Sequence, residues 1–221
     1  MAELIEGIEP ERVRAAMAEV RDEVARACER SGRDPGEVEV LTASKYVGVD
    51  DMGLLAAAGI SLVGENRAQD LVAKAERWPE EFRFDFIGHL QSRKVKQVVP
   101  LVRLIHSVAS DSVLAQLERH GTPETRILVQ VNIAGEEAKD GVAPEELSAF
   151  IARSPVPVMG LSTMPPFAED PESSRPWFAR LAELARENGL SVLSMGTTQD
   201  FAVAVEEGAT LVRVGSRILR P

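Results

Sequence analysis

The sequence holds a single cysteine, Cys28, so no intramolecular disulfide can staple the fold. It has no apolar run of about 18 residues, the length a membrane-spanning helix requires. Its opening, MAELIEGIEPERV, is acidic and lacks the apolar stretch of a secretory signal. Cations are in deficit: 25 Lys and Arg stand against 35 Asp and Glu, and the net charge of -10 repels nucleic acids and anionic membrane surfaces. The longest basic cluster, Arg93-Lys94-Val95-Lys96, is too short to reverse that repulsion. One tyrosine, Tyr46, leaves a single phenol for acid–base work. No G-x-G-x-x-G follows the first predicted strand, which argues against a dinucleotide-binding open sheet. A soluble, cytoplasmic protein without nucleic-acid or membrane partners is expected.

What is present is an apolar content of 44%, enough to bury a full core, spread without a linker or composition shift over 221 residues. Residues 1–221 read as one domain. The first helix starts near Pro10, carries Val13, Met17, Val20, Val24 and Cys28 on one face, and stops at Gly32. Strands are predicted at 38–43, 61–63, 84–87, 103–106, 126–132, 156–161, 191–194 and 210–214. Helices fall between them at 51–58, 66–77, 91–99, 111–120, 144–152, 172–188 and 199–207. Eight strands alternating with helices predict a closed (β/α)8 TIM-type barrel with an extra N-terminal helix. The long connections at 134–141 and 163–176 would then overhang the mouth.

The strand ends carry the chemistry. In order they are Lys45; Glu65 and Asn66; Gly88 and His89; His106 and Ser107; Asn132; Ser162, Thr163 and Met164; Ser194, Met195 and Gly196; and Arg213 with Gly215. Taken alone, Lys45 is a solvated loop charge. A barrel converges all eight ends on one face, where such folds keep their sites. A lysine there is either a phosphate clamp or an amine that forms a Schiff base, for which Arg213 could supply a neighbouring cation. Gly196, Thr197 and Thr198 are expected at the start of a helix, and Gly215 and Ser216 at a turn, both of them phosphate-binding settings; plain N-capping is the other reading of the threonines. Pyridoxal phosphate (PLP) or a phosphorylated sugar suits such a mouth. His89, His106 and His120 lack the spacing of metal ligands. The acidic run at 169–172 reads as a solvated loop.

The segments LTASKYV, VGENRAQDL, FIGHLQSRKVK, IHSVAS, VNIAGEEAKDGV, GLSTMPP, SMGTTQDF and VRVGSRI, in this order and spacing, resemble the pyridoxal-phosphate homeostasis protein family, stand-alone relatives of the alanine racemase barrel domain. The resemblance implies that Lys45 holds PLP as a lysine aldimine. Ser194, Gly196 and Thr198 would lie at the phosphate with Gly215 and Ser216, and Arg213 would face the pyridine nitrogen. Asn66, His89, Asn132 and Met164 would line the ring pocket. The sequence departs from the family pattern at Thr197 and Thr198, at Ser162, at Arg93 in place of an asparagine, and at Arg217 in an ending without Phe-Gly.

An arginine opposite the ring nitrogen leaves that nitrogen unprotonated and weakens the ring as an electron sink. Racemase chemistry needs bases on both faces of the substrate, and Tyr46 adjoins Lys45 with no second domain expected to supply the other. The reading is therefore a monomeric carrier that stores PLP and delivers it to PLP-requiring apoenzymes, with little or no turnover. The alternatives are a weak PLP-dependent amino-acid racemase or a cofactor-free Schiff-base aldolase.

Overall fold

Eight parallel strands close into a barrel in the order β1 to β8, with β8 hydrogen-bonded back to β1. They are β1 Glu39–Ala43, β2 Leu62–Glu65, β3 Arg83–Phe86, β4 Leu104–Val108, β5 Ile127–Gln130, β6 Val158–Ser162, β7 Val192–Thr197 and β8 Leu211–Val214. This computed structural model describes residues 4–136 and 140–220, so part of the predicted 134–141 loop lies outside the described residues. The helices are α1 Pro10–Ser31, α2 Met52–Ala57, α3 Ala68–Arg77, α4 Val95–Val98, α5 Asp111–His120, α6 Leu147–Ala152, α7 Arg175–Glu187, α8 Phe201–Glu206 and α9 Ser216–Leu219. Among the described residues no helix is long and apolar enough to cross a membrane.

Helix α1 opens on Pro10, whose missing N–H costs nothing in a first turn, and ends where Gly32 adopts φ 69°. Its predicted apolar face is buried, and it packs on α8 and α9 beside the barrel. Alternation along the strands sends one set of side chains outward to the helices and the other into the barrel. Leu41, Leu62, Leu104, Leu128 and Leu211 form an apolar layer inside. Asp85 on β3, His106 on β4, Ser162 on β6, Ser194 on β7 and Arg213 on β8 are buried as well. The barrel thus carries a polar layer on an apolar floor.

Four predicted helices differ from those observed; the 144–152 helix is a 3-10 turn, Pro144–Glu146, followed by α6. The 91–99 helix is a 3-10 turn (Ser92–Lys94), α4, and a second 3-10 turn (Val99–Leu101), because Pro100 cannot donate to the preceding turn and its ring crowds it. The 172–188 helix splits into a 3-10 turn at Pro171–Ser174 and α7, which takes Pro176 in its first turn. The helix predicted from 199 begins at Phe201, since Asp200 accepts from the Thr197 amide at 2.7 Å and makes a turn there.

Candidate functional site

Strand β1 runs into a 3-10 turn, Ser44–Tyr46, that presents Lys45 at the C-terminal mouth. The half-buried Lys45 lays its Nζ 4.7 Å from the centre of the Tyr46 ring. Buried bonds hold this turn. Ser44 Oγ donates to Glu65 Oε1 at 2.9 Å and to the Gly64 carbonyl at 3.2 Å. From α3, Lys74 Nζ donates to the Ser44 carbonyl at 2.9 Å and to Glu65 Oε1 at 3.0 Å. Burial pushes the Glu65 carboxyl up, against the pull of the Lys74 charge. Next along the chain, Asn66 Oδ1 is buried with no hydrogen-bond partner among the described residues. A carboxamide held dry and unengaged fits a site that receives a polar group from outside the chain.

A second array crosses the barrel. Arg213 Nη1 donates to the Ser194 carbonyl at 3.1 Å and to Ser194 Oγ at 2.9 Å, and Nη2 donates to the Thr163 carbonyl at 2.7 Å and to Met164 Sδ at 3.0 Å. His106 Nδ1 lies 2.9 Å from Ser194 Oγ, and its Nε2 lies 3.0 Å from Asp85 Oδ2. Arg103 grips Asp85 with two bonds of 3.0 and 2.8 Å and reaches Glu39 Oε2 at 2.6 Å.

The protonation states follow from the surroundings. Burial alone raises the Asp85 carboxyl, but the bonds and charges of His106 and Arg103 outweigh it and hold the group below the usual aspartate range. Burial pushes the His106 imidazole down, so it is neutral at neutral pH. An ionised Asp85 must accept from Nε2–H, which leaves Nδ1 to accept from the Ser194 hydroxyl, and that oxygen in turn accepts from Arg213. Burial brings the Arg213 guanidinium down to about 10, with Asp200 pulling the other way. It remains a cationic donor at neutral pH.

On the β7–β8 side, Gly196 has φ 86°, a conformation L side chains rarely adopt. A Cβ there would lie 2.5 Å from the Ala204 Cβ. The expectation that Gly196, Thr197 and Thr198 open a helix is corrected: Gly196 and Thr197 end β7, and the Asp200 turn takes the Thr197 amide and hydroxyl. Thr198 Oγ1 instead accepts the Gly215 amide at 3.2 Å, tying the β7 loop to the turn before α9, whose first residue is Ser216.

The rim residues are disposed differently. His89 is exposed and pairs through Nδ1 with Asp140 at 2.7 Å. Asn132 spends its side chain on its own loop, donating to the Glu136 carbonyl at 2.9 Å and accepting from the Glu136 amide at 3.1 Å. Met164 is half exposed against Arg213. Closure of β8 onto β1 therefore puts Lys45, Asn66, Ser194, Arg213, Thr198 and Gly215 on adjoining strands at one mouth. His89, on the connection after β3, lines a cavity together with Asn66, and Asn132 stands after β5. The expected cationic neighbour of Lys45 is turned elsewhere, since the bonds of Arg213 run to β7 and to the residues that follow β6.

No family model matches the chain. It is nevertheless 38% identical over 214 residues to a pyridoxal phosphate homeostasis protein of Aquifex aeolicus, a match covering 90% of this chain and 94% of that protein. The chain belongs to the pyridoxal phosphate homeostasis protein family. The human member is 33% identical over 93% of this chain and 85% of its own. The structure of PipY from Synechococcus elongatus with PLP bound superposes at a TM-score of 0.78, with 26% identity over 94% of this chain and 99% of that one. Alanine racemase of Corynebacterium glutamicum shares the fold at a TM-score of 0.68 and 14% identity, covering 99% of this chain and 63% of that one. The expected alanine racemase-like barrel and the family resemblance are both borne out.

Sequence reading passed over three groups of this site, Lys74, Asp85 and Arg103. The signals were a lysine three residues after Leu71 on the buried stripe of α3, and an aspartate alternating with phenylalanines in RFDF.

Proposed function

We propose that this chain carries PLP covalently on Lys45 as a single cytoplasmic, monomeric barrel domain and delivers it to PLP-requiring apoenzymes without appreciable turnover. The observation that carries the reading is the pairing, at one mouth, of a turn-mounted lysine with a buried, fully oriented guanidinium. Bound PLP supplies an aldehyde that condenses with amines and a ring that withdraws electrons. Lys45 offers the amine. Arg213, held by Ser194 and Thr163, is a permanent donor and is suited to face the ring nitrogen without giving up a proton. Gly196 lets the backbone approach the phosphate closely, Thr198 and Ser216 add hydroxyls around it and Gly215 the turn, while Ser194, whose hydroxyl is spent on His106 and Arg213, orients the guanidinium. Asn66 supplies the unengaged carboxamide beside the ring, while His89, Asn132 and Met164 wall the rim.

The test is the absorption spectrum of purified protein before and after borohydride. A near-ultraviolet to visible band that reduction bleaches, with the pyridoxyl group mapped to Lys45 and lost in Lys45→Ala, is the expected result. Mapping to Lys74 or Lys139 refutes the assignment. An unbleachable or absent band favours the aldolase alternative. The racemase alternative is separated by turnover.

A further inference from the structure

We propose that the cavity between the β2–α3 and β3–α4 connections is an anion subsite for a small dicarboxylate, held next to the Lys45 turn. The cavity measures about 290 Å3, and its wall includes Asn66, Arg67, Gln69, Gln91, Arg93 and Lys94. Among the described residues no aspartate or glutamate lines it. That composition runs against the rest of the molecule, where 35 carboxylates outnumber 25 cations. Two arginines elsewhere are saturated with carboxylates: Arg103 lies between Asp85 and Glu39, and Arg175 is bonded to Glu172, Glu206 and Glu207.

Among the described residues the cavity cations are less engaged. Arg93 Nε donates to the neutral Gln91 Oε1 at 3.0 Å, and Lys94 Nζ to the neutral Gln97 Oε1 at 3.3 Å. Arg67 comes only to 4.0 Å of Asp70, both half exposed, a geometry worth little in water. Three cations around one concavity raise the local concentration of anions, and two guanidinium forks match two carboxylates. A volume of about 290 Å3 falls just below the roughly 300–1,000 Å3 of small-molecule sites, so a compact ligand fits better than a polymer segment.

Position gives the subsite its meaning. Asn66 forms part of the wall and follows Glu65, which binds Ser44, the residue before Lys45. A dicarboxylate seated there is held after β2, the strand next to the one that carries the proposed cofactor lysine, which suits an amino or oxo acid of that class. This significance rests on the PLP reading, but the binding itself does not. Arg93, which stands where the family resemblance implies an asparagine, makes the subsite a property of this chain rather than of the whole family.

The experiment is calorimetric titration of the purified protein with succinate, with and without added PLP. Saturable binding is expected in both states. It should weaken at least tenfold in Arg93→Gln and in Lys94→Gln, stay within twofold in Lys96→Gln, which alters a cation outside the cavity, and be absent with succinamide. Arg93 is exposed and Lys94 partly so, and both engage only neutral side chains, so these variants should fold. No saturable heat, equal affinity in wild type and Arg93→Gln, or equal displacement by inorganic phosphate overturns the proposal. Succinate binding that persists when no PLP attaches would sink the cofactor reading and leave the subsite standing.

Discussion

Lys74 Nζ donates 2.9 Å to the carbonyl oxygen of Ser44, so a buried helix residue clamps the peptide that carries Lys45. The same ammonium pairs with Glu65, and both side chains are almost wholly buried. Removing one partner of a buried pair strands the other, at a cost of about 3–5 kcal/mol. Lys74→Met should therefore lower the unfolding free energy by that order in urea denaturation, and Lys74→Met/Glu65→Gln should recover part of it. The Glu65 carboxyl is already raised by burial and would rise further without Lys74. A raised acid contributes stability below its unfolded value and loses it as pH rises through the folded one, so the deficit should shrink in acid. A single variant within about 1 kcal/mol of wild type, well short of that buried-pair cost, would show that the pair does not hold the turn.

The buried His106–Asp85 pair gives a pH dependence of definite sign. Both folded pKa values are depressed, the histidine by burial and the aspartate, against its own burial, by the hydrogen bonds of His106 and Arg103. The unfolded chain then binds protons first, as a histidine at about 6.5 and an aspartate at about 3.9. Stability from neutral His106 is present above about 6.5 and is lost as pH falls toward its folded value; the Asp85 contribution is lost below about 3.9. His106→Asn should flatten the stability curve between about pH 7 and 5 relative to wild type, whatever its absolute stability. Parallel curves in that interval would mean that His106 is not held neutral.

These two clusters also mark where the sequence was legible. Lys45, Ser194 and Arg213 could be found because a strand end in a barrel is a position countable from the hydrophobic pattern. Lys74 could not, because helix periodicity assigns a lysine to the solvent side unless its partner is known, and Glu65 lies in another element. Asp85 reads as a strand surface charge until the barrel closes and turns its face inward toward His106. Backbone detail was lost for a local reason: Asp200 captures the Thr197 amide and moves the start of α8 to Phe201. The orientation of His89 toward Asp140 depends on two loops 51 positions apart (140 − 89), beyond any local signal.

The phosphate should contribute more to PLP affinity than the ring does. Gly196 at φ 86° and the Thr198–Gly215 bond bring the β7 and β8 loops together, where amides and hydroxyls can meet one dianion. Hydrogen bonds to a charged group are worth roughly 1.5–3 kcal/mol each. Two of them correspond to about a hundredfold or more in affinity. Pyridoxal should accordingly bind at least about a hundredfold more weakly than PLP in equilibrium titration. Gly196→Ala, which forces a strained φ and a 2.5 Å approach to the Ala204 Cβ, should narrow that ratio. Equal affinities for the two vitamers would remove the phosphate role of these loops.

Turnover of amino acids should be slow or absent. Burial brings the Arg213 guanidinium down only to about 10, so at neutral pH it stays a cation that, facing the ring nitrogen as proposed, would donate to it and could not protonate it as a carboxylic acid partner would. The ring is then a weak sink for the electron pair released when a proton leaves the substrate α-carbon. Racemisation also needs a base on each face, and the one tyrosine cannot serve opposite Lys45. Its ring lies 4.7 Å from Lys45 Nζ and 5.7 Å from the Arg220 guanidinium, on the lysine's own side. The half-exposed Met164 leaves that part of the mouth open to water, which sacrifices the exclusion and positioning that speed enzymes. Deuterium exchange at the α-carbon of a panel of amino acids, followed with racemisation by the PLP-loaded protein, should fall well below about 1 per second, the lower edge of ordinary enzymes. A turnover number at or above about 1 per second would instead make the protein a racemase-class enzyme, with its second base still to be found among the mouth residues.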